Sequence, residues 1–210
     1  MTVLVDNDAA LKVCRYDLQD LAAHHFGGYN NLRVLESARY SLYVENRTRG
    51  LKFTGSQPAL ERLKAFLAAV PPLAISPDNP YLPALNAIPQ VHAGEVALLA
   101  AAAEDIGTIV FTGDKRAIRA LAAAGEAVDA RHRLEGRLKC LEQVVAELIE
   151  AFGFRAVGPR IHADPTADTA LRVCFALCSE QNAIEGLRSY YRDLNRAAPG
   201  LLAPPPAIIT

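Results

Sequence analysis

Three acidic residues stand where their carboxylates can be delivered to one place. Asp6 ends the β-branched run from Thr2 to Val5. Asp114 ends the run from Thr108 to Phe111 by way of Thr112 and Gly113, and Glu95 opens an alanine-rich stretch ahead of that second run. A buried strand that runs into an acid puts the side chain at the sheet edge, and parallel strands end on the same edge. Clustered carboxylates repel one another and lose solvation, which a divalent cation offsets. Hard oxygen donors suit Mg²⁺ or Mn²⁺ rather than zinc. The competing reading is structural: Asp6 and Asp114 each precede a helix and would cap it.

The elements that must position these acids follow from periodicity and punctuation. After Asp6 a helix is expected with Leu11, Cys14, Leu18 and Leu21 on one face. A break at Gly27-Gly28 precedes a second helix through Leu32, Leu35 and Leu42. Ser56 caps a third, with Pro58 in its first turn and the stripe Leu60, Leu63, Leu67, Val70. Pro71 to Pro89 reads as a connection holding a short strand at Leu73 to Ile75. A helix from His92 to about Asp105 carries Glu95 in its first turn, and Gly107 separates it from the second strand. Beyond Asp114 come a helix with Ile118 and Leu121, and a longer one with Leu134, Leu138, Leu141, Val145 and Leu148. Asp164-Pro165 opens a helix with Ala167, Leu171, Cys174 and Cys178, and a last stripe is Ile184, Leu187, Tyr191 and Leu194. Strand–helix alternation with mostly helical mass predicts α/β with a small parallel sheet over residues 1–130, a helical extension over 131–198 packed on that core, and a flexible tail over 199–210.

With 210 residues, 51% of them hydrophobic and 21% charged, the chain can bury one sizeable core. A net charge of −1 gives no global attraction to nucleic acid, so any such contact requires a local basic patch. Cys14, Cys140, Cys174 and Cys178 form no Cys-x-x-Cys and read as reduced core thiols. The first residues have no basic or long apolar stretch, and Val96 to Ala103 is too short to span a bilayer. The expectation is a soluble cytoplasmic protein without a membrane partner. The glycine-rich loop of a dinucleotide-binding domain is absent after the first strand.

The stretch His92-Ala-Gly-Glu95-Val-Ala-Leu-Leu-Ala-Ala-Ala, followed by Thr-Ile-Val-Phe-Thr-Gly-Asp114-Lys, resembles the centre of PIN-like nuclease domains. Val-Leu-Val-Asp6-Asn-Asp8 is similar to that family's first strand. The resemblance covers roughly residues 1 to 124. It implies a three-layer α/β/α fold and cleavage of phosphodiester bonds, usually in single-stranded RNA, by a water activated on Mg²⁺ or Mn²⁺. It implies Asp6, Glu95 and Asp114 as the catalytic, metal-holding acids and Asp8 as their support. A further acid from an early helix is implied too, with Glu36 the candidate and Glu45 the alternative. Lys115, Arg116 and Arg119 would then hold substrate phosphates, and Arg131, His132, Arg133, Arg137 and Lys139 form a second basic cluster whose competing reading is a solvated helix face. The helical region from Arg131 to Ala198 departs from a minimal domain, although an antitoxin-like protein partner stays open. The stripes Leu134–Leu148 and Ile184–Leu194 could also pair two copies of the chain.

Two rival readings share these residues. Val-Asp6-Asn-Asp8 also fits a haloacid dehalogenase-like phosphatase, with Asp6 as nucleophile and Asp8 as acid/base. That family's late Gly-Asp motif needs a second acid about four residues on, where this chain has Lys115-Arg116-Ala117-Ile118-Arg119. The other rival is a nuclease-derived module that binds RNA or a protein and no longer cuts.

Overall fold

Short hydrophobic runs separated by helices must cross over before they pair again, and five such runs build one all-parallel sheet here. The computed structural model describes all 210 residues. In chain order it has β1 (Thr2–Val5), α1 (Asn7–Arg15), α2 (Gln19–His25), β2 (Leu32–Leu35), α3 (Ala38–Ser41), α4 (Arg47–Thr54) and α5 (Gln57–Ala69). Then follow β3 (Pro72–Leu73), α6 (Leu82–Asn86), α7 (Ala93–Glu104), β4 (Thr108–Thr112), α8 (Lys115–Ala123) and α9 (Val128–Leu134). The chain continues with β5 (Leu138–Cys140), α10 (Leu141–Phe152), α11 (Phe154–Ala163), α12 (Thr169–Cys174) and α13 (Glu180–Ala197).

The strand order is β3-β2-β1-β4-β5. The chain steps outward from β1 to β3, then returns to lay β4 against the other side of β1. That reversal lies between β1 and β4, the place where the carboxyl ends of an open parallel sheet leave a crevice. Helices α1, α2, α5 and α10 pack together on one face and α6, α7 and α9 on the other, which makes a three-layer α/β/α fold. No helix is long and apolar enough to cross a membrane.

Several expectations are corrected. Leu32, Leu35 and Leu42 do not share a helix: Leu32–Leu35 is β2, paired with Val3 and Leu4 of β1. The helix expected through Leu134 and Leu148 is interrupted, because Leu138–Cys140 pairs with Val110–Thr112 as β5. Ala127 caps α9, and Val128 and Asp129 open it. Helix α11 was not expected, and the helix expected from Asp164-Pro165 begins later, with Asp168 as its cap. Residues 131–198 pack on the core, as one continuous apolar cluster runs from Val3 to Ile209, but they are not a purely helical extension, because they supply β5 to the sheet. Nor is 199–210 a free tail. Leu201, Leu202 and Ala203 are buried, and backbone bonds run from Leu138 N–H to Leu201 O (3.1 Å) and from Ala203 N–H to Leu138 O (2.8 Å). This segment closes the outer edge of β5, an edge that would otherwise offer unpaired N–H and C=O groups.

The second basic cluster is structural. Arg137 Nη1 donates to the carbonyls of Ala102, Asp105 and Thr108 at 2.8, 2.8 and 3.2 Å, and Arg133 donates to those of Ala103 and Glu104. These include the last carbonyls of α7, which have no partner within their own helix and carry its negative end. Arg131 caps Ala122 O, His132 pairs with Glu135, and Lys139 pairs with Glu147. Replacing Arg137 with alanine should cost about 2–3 kcal/mol, as expected for charge-assisted bonds to part-buried carbonyls. Urea denaturation measures it, and a change within about 0.5 kcal/mol would return Arg137 to the solvated face.

Candidate active site

Asp6, Glu95 and Asp114 reach one cleft at the carboxyl edge of the sheet, at the reversal between β1 and β4. The cleft has a volume of about 850 Å³ and is lined mainly by polar and charged residues, among them Asp8, Lys12, Ser37, Ser41, Arg116 and Asp168. The strands fix the first acid directly. Asp6 N–H donates to Phe111 O at 2.9 Å, continuing the β1–β4 ladder past the last paired residue. Thr112 then ties the two strand ends together. Its hydroxyl donates to Asp6 Oδ2 (3.3 Å) and accepts from Asp114 N–H (3.0 Å).

The capping roles are also real. Asp6 Oδ1 accepts from Asn7 N–H (2.7 Å), Asp114 Oδ1 accepts from the N–H groups of Arg116 (2.7 Å) and Ala117 (3.3 Å), and Glu95 Oε2 accepts from His92 N–H (2.8 Å). The amino ends of α1, α7 and α8 thus all point at the cleft, and their dipoles partly offset the charge gathered there.

The acids differ in environment. Burial, with Asp8 nearby, pushes the Asp6 carboxyl up to about 6. Burial, with Asp114 and Asp6 nearby, pushes Glu95 up to about 7 against its bond to His92. Asp114 goes the other way. Its desolvation is outweighed by Arg116, which bonds it through side chain and backbone, so its carboxyl sits below the usual range. Asp8 has Lys12 at 2.6 Å, whereas no ion pair forms at Asp6 or Glu95. Carboxyls pushed apart in this way are common at functional sites, and structural ion-pair networks produce them too.

The donor set fits a hard divalent cation in kind and in charge: oxygen ligands, two of them buried without a cationic partner. Its positions do not yet form a metal site. No group of three histidine, cysteine, aspartate or glutamate side chains is gathered closely enough to hold a metal ion as the side chains stand. For Asp114 to join Asp6 and Glu95 it would have to release Arg116, whose guanidinium is mostly exposed.

Other expected residues lie elsewhere or are already engaged. Glu36 is exposed and faces a separate hollow with Arg39, Tyr40 and Pro71, and Glu45 is exposed outside the cleft. The same segment sends the hydroxyl residues Ser37 and Ser41 to the cleft instead. Lys115 pairs with buried Glu142 and lies 4.9 Å from the centre of the Tyr190 ring, and Arg119 pairs with Asp193 at 2.7 Å. Lys12 and Asp168 were not foreseen. Lys12 bridges Asp8 and Asp168 (2.8 Å) and so fastens α12 to the cleft wall. The four-residue spacing of Asp8 and Lys12 was a readable signal, but the approach of Asp168 across the fold was not.

Gly113 lies close against the Asp8 side chain. A Cβ there would lie 2.1 Å from Asp8 Oδ2. The displaced atom ends a half-exposed side chain, so Gly113→Ala should cost less than about 1 kcal/mol while turning Asp8 out of the cleft. Thermal unfolding read beside Mn²⁺ titration separates the effects, and unchanged affinity would show that Asp8 takes no part. Comparison of the chain with protein-family models, with curated proteins and with solved structures finds no match.

Proposed function

We propose that the chain is a metal-dependent endoribonuclease of the PIN-like kind, cutting single-stranded RNA at the cleft between β1 and β4. The observation that carries this reading is the convergence of Asp6 and Glu95 on one cleft: two buried carboxyls at the sheet's reversal, pushed up to about 6 and about 7, with no cationic partner of their own. Such a pair favours either protons or a divalent cation. Asp6, Glu95 and Asp114 would hold Mg²⁺ or Mn²⁺, with Asp8 in support. When bound, the ion would activate water and neutralise charge developing on the leaving oxygen. The protein's own part is to shed protons from Asp6 and Glu95 as the cation enters. Thr112 keeps the two strand-end acids in register. Arg116, freed from Asp114, would turn to the substrate phosphate.

Calorimetric titration with Mn²⁺ tests the site. Binding should release protons near pH 7, and Asp114→Asn should weaken it by about tenfold or more, as losing a ligand charge does. Equal affinity in the two proteins would leave Asp114 as a helix cap alone. Cleavage of single-stranded RNA that EDTA stops would carry the activity.

A module that binds without cutting is a second reading, favoured by the hold that Arg116 and two backbone N–H groups have on Asp114. RNA binding without turnover at any Mn²⁺ concentration would select it.

A further inference from the structure

Helix α13 carries Arg188, Arg192 and Arg196 four residues apart, which sets them on one face at steps of about 6 Å. With Glu185, Ser189 and Asp193 they line a shallow polar hollow of about 370 Å³. Like charges one turn apart repel, so helices usually place acids between them. Here the acids are engaged elsewhere or stand apart. Asp193 is taken by Arg119, and Glu185 accepts from Gln181 and forms no ion pair with Arg188. Arg192 and Arg196 are exposed and have no protein partner. Arg188 is held by one bond to Ile208 O (3.0 Å), and its buried Nε has no acceptor. Arg196 lies in the last turn, where a cation complements the helix dipole, but that account does not reach Arg188 or Arg192.

The row also leads somewhere. Helix α8 packs on α13, with Lys115 over the Tyr190 ring and Arg119 bonded to Asp193. Arg116 and Arg119 line the acidic cleft, and the bond from Arg119 to Asp193 sets the hollow of the α13 arginines beside it. In a chain of net charge −1, this is a localised surface made of arginine, the side chain best suited to bind phosphate through two N–H groups at once.

We propose that Arg188, Arg192 and Arg196 form a track that holds the phosphodiester backbone of single-stranded RNA and leads it past Arg119 and Arg116 into the cleft. A single row one helix wide contacts one strand and leaves the second strand of a duplex without partners. The proposal rests on the nuclease reading of the cleft, but it can fail separately.

Fluorescence anisotropy in EDTA measures binding without cleavage, using a labelled single-stranded RNA of about 12 nucleotides, a span typical of such surfaces. Arg192→Ala/Arg196→Ala should weaken binding by about tenfold or more at low salt. It should also lower the slope of log affinity against log salt by about 1.4, since each single-strand phosphate contact contributes about 0.7. Arg192→Lys/Arg196→Lys should keep the slope. An unchanged slope in the alanine variant, no binding by the wild type at about 50 mM salt, or tighter binding of single-stranded DNA or duplex RNA would each overturn the track. Cleavage with Mn²⁺ separates the two claims. RNA that binds through these arginines and is never cut removes the nuclease and keeps the track, whereas cutting of the same RNA indifferent to Arg192 and Arg196 removes the track alone.

Discussion

Asp6→Asn should abolish Mn²⁺-dependent RNA cleavage, by roughly 10²–10⁴-fold, the range seen when a residue that holds or balances charge at the reacting centre is lost. The same substitution should stabilise the metal-free protein near neutral pH. Burial and Asp8 raise the Asp6 carboxyl from its ordinary 3.8 to about 6. A raised carboxyl favours folding most fully while protonated, below about pH 4, and that advantage is lost as the pH rises through about 6. Glu95, raised from 4.5 to about 7, adds the same trend over a slightly higher range. The metal-free wild type should therefore lose stability between about pH 4 and pH 7, with Asp6 contributing on the order of 2 kcal/mol. The asparagine side chain cannot ionise, so the advantage of the variant should be clear at pH 8 and gone at pH 4. Denaturant curves at the two pH values, with single-turnover cleavage beside them, check both halves. Unaltered cleavage would remove Asp6 from the chemistry, and an equal stability change at both pH values would show that its charge is not what strains the fold. Loss of activity alone does not separate a nuclease from a phosphatase that uses Asp6 as nucleophile. Turnover of a small phosphate ester with a trapped aspartyl-phosphate at Asp6 would decide for the phosphatase.

Lys115→Ala should destabilise the protein by about 3–5 kcal/mol, the cost of leaving a buried charge without its partner. The Glu142 side chain is 2% exposed, and Lys115 is its partner across α8 and α10. Burial by itself would lower the Lys115 ammonium, but Glu142 outweighs it and holds the group above its usual value. Replacing both residues, as in Lys115→Met with Glu142→Leu, should recover most of the loss, because an apolar pair of similar volume has no charge to desolvate. Urea midpoints of the single and double variants form the cycle. If Lys115 instead serves mainly to hold substrate phosphate, Lys115→Ala will change stability by less than about 1 kcal/mol and weaken RNA binding.

Much of the fold was legible along the chain. Thr2–Val5 and Thr108–Thr112 are strands because β-branched and aromatic residues run unbroken between turn signals. Ser56 and Pro58 open α5, and the break before Pro199-Gly200 closes α13, because caps and prolines act locally. The arrival of Asp6 and Asp114 at one edge also follows from the sequence, since parallel strands share their carboxyl ends.

What failed was short and ambiguous. Leu32 and Leu35 fit a helical stripe while Leu32 and Val34 fit the alternation of a strand, and only pairing with Val3 and Leu4 decides between them. Leu138–Cys140 sits inside a spacing that also reads as one long helix, and three residues have no period of their own. The tail looked free because three prolines exclude a helix, yet its backbone completes the edge of β5.

The same division runs through the site. Sequence determined which side chains end the strands and open the helices, because those positions depend on neighbours a few residues away. Tertiary structure alone decided that Glu36 faces away, that Lys115 and Arg119 are taken by Glu142 and Asp193, and that Asp168 meets Lys12. Those pairings join residues 27 to 156 positions apart, and their charges find one another only after the layers have packed.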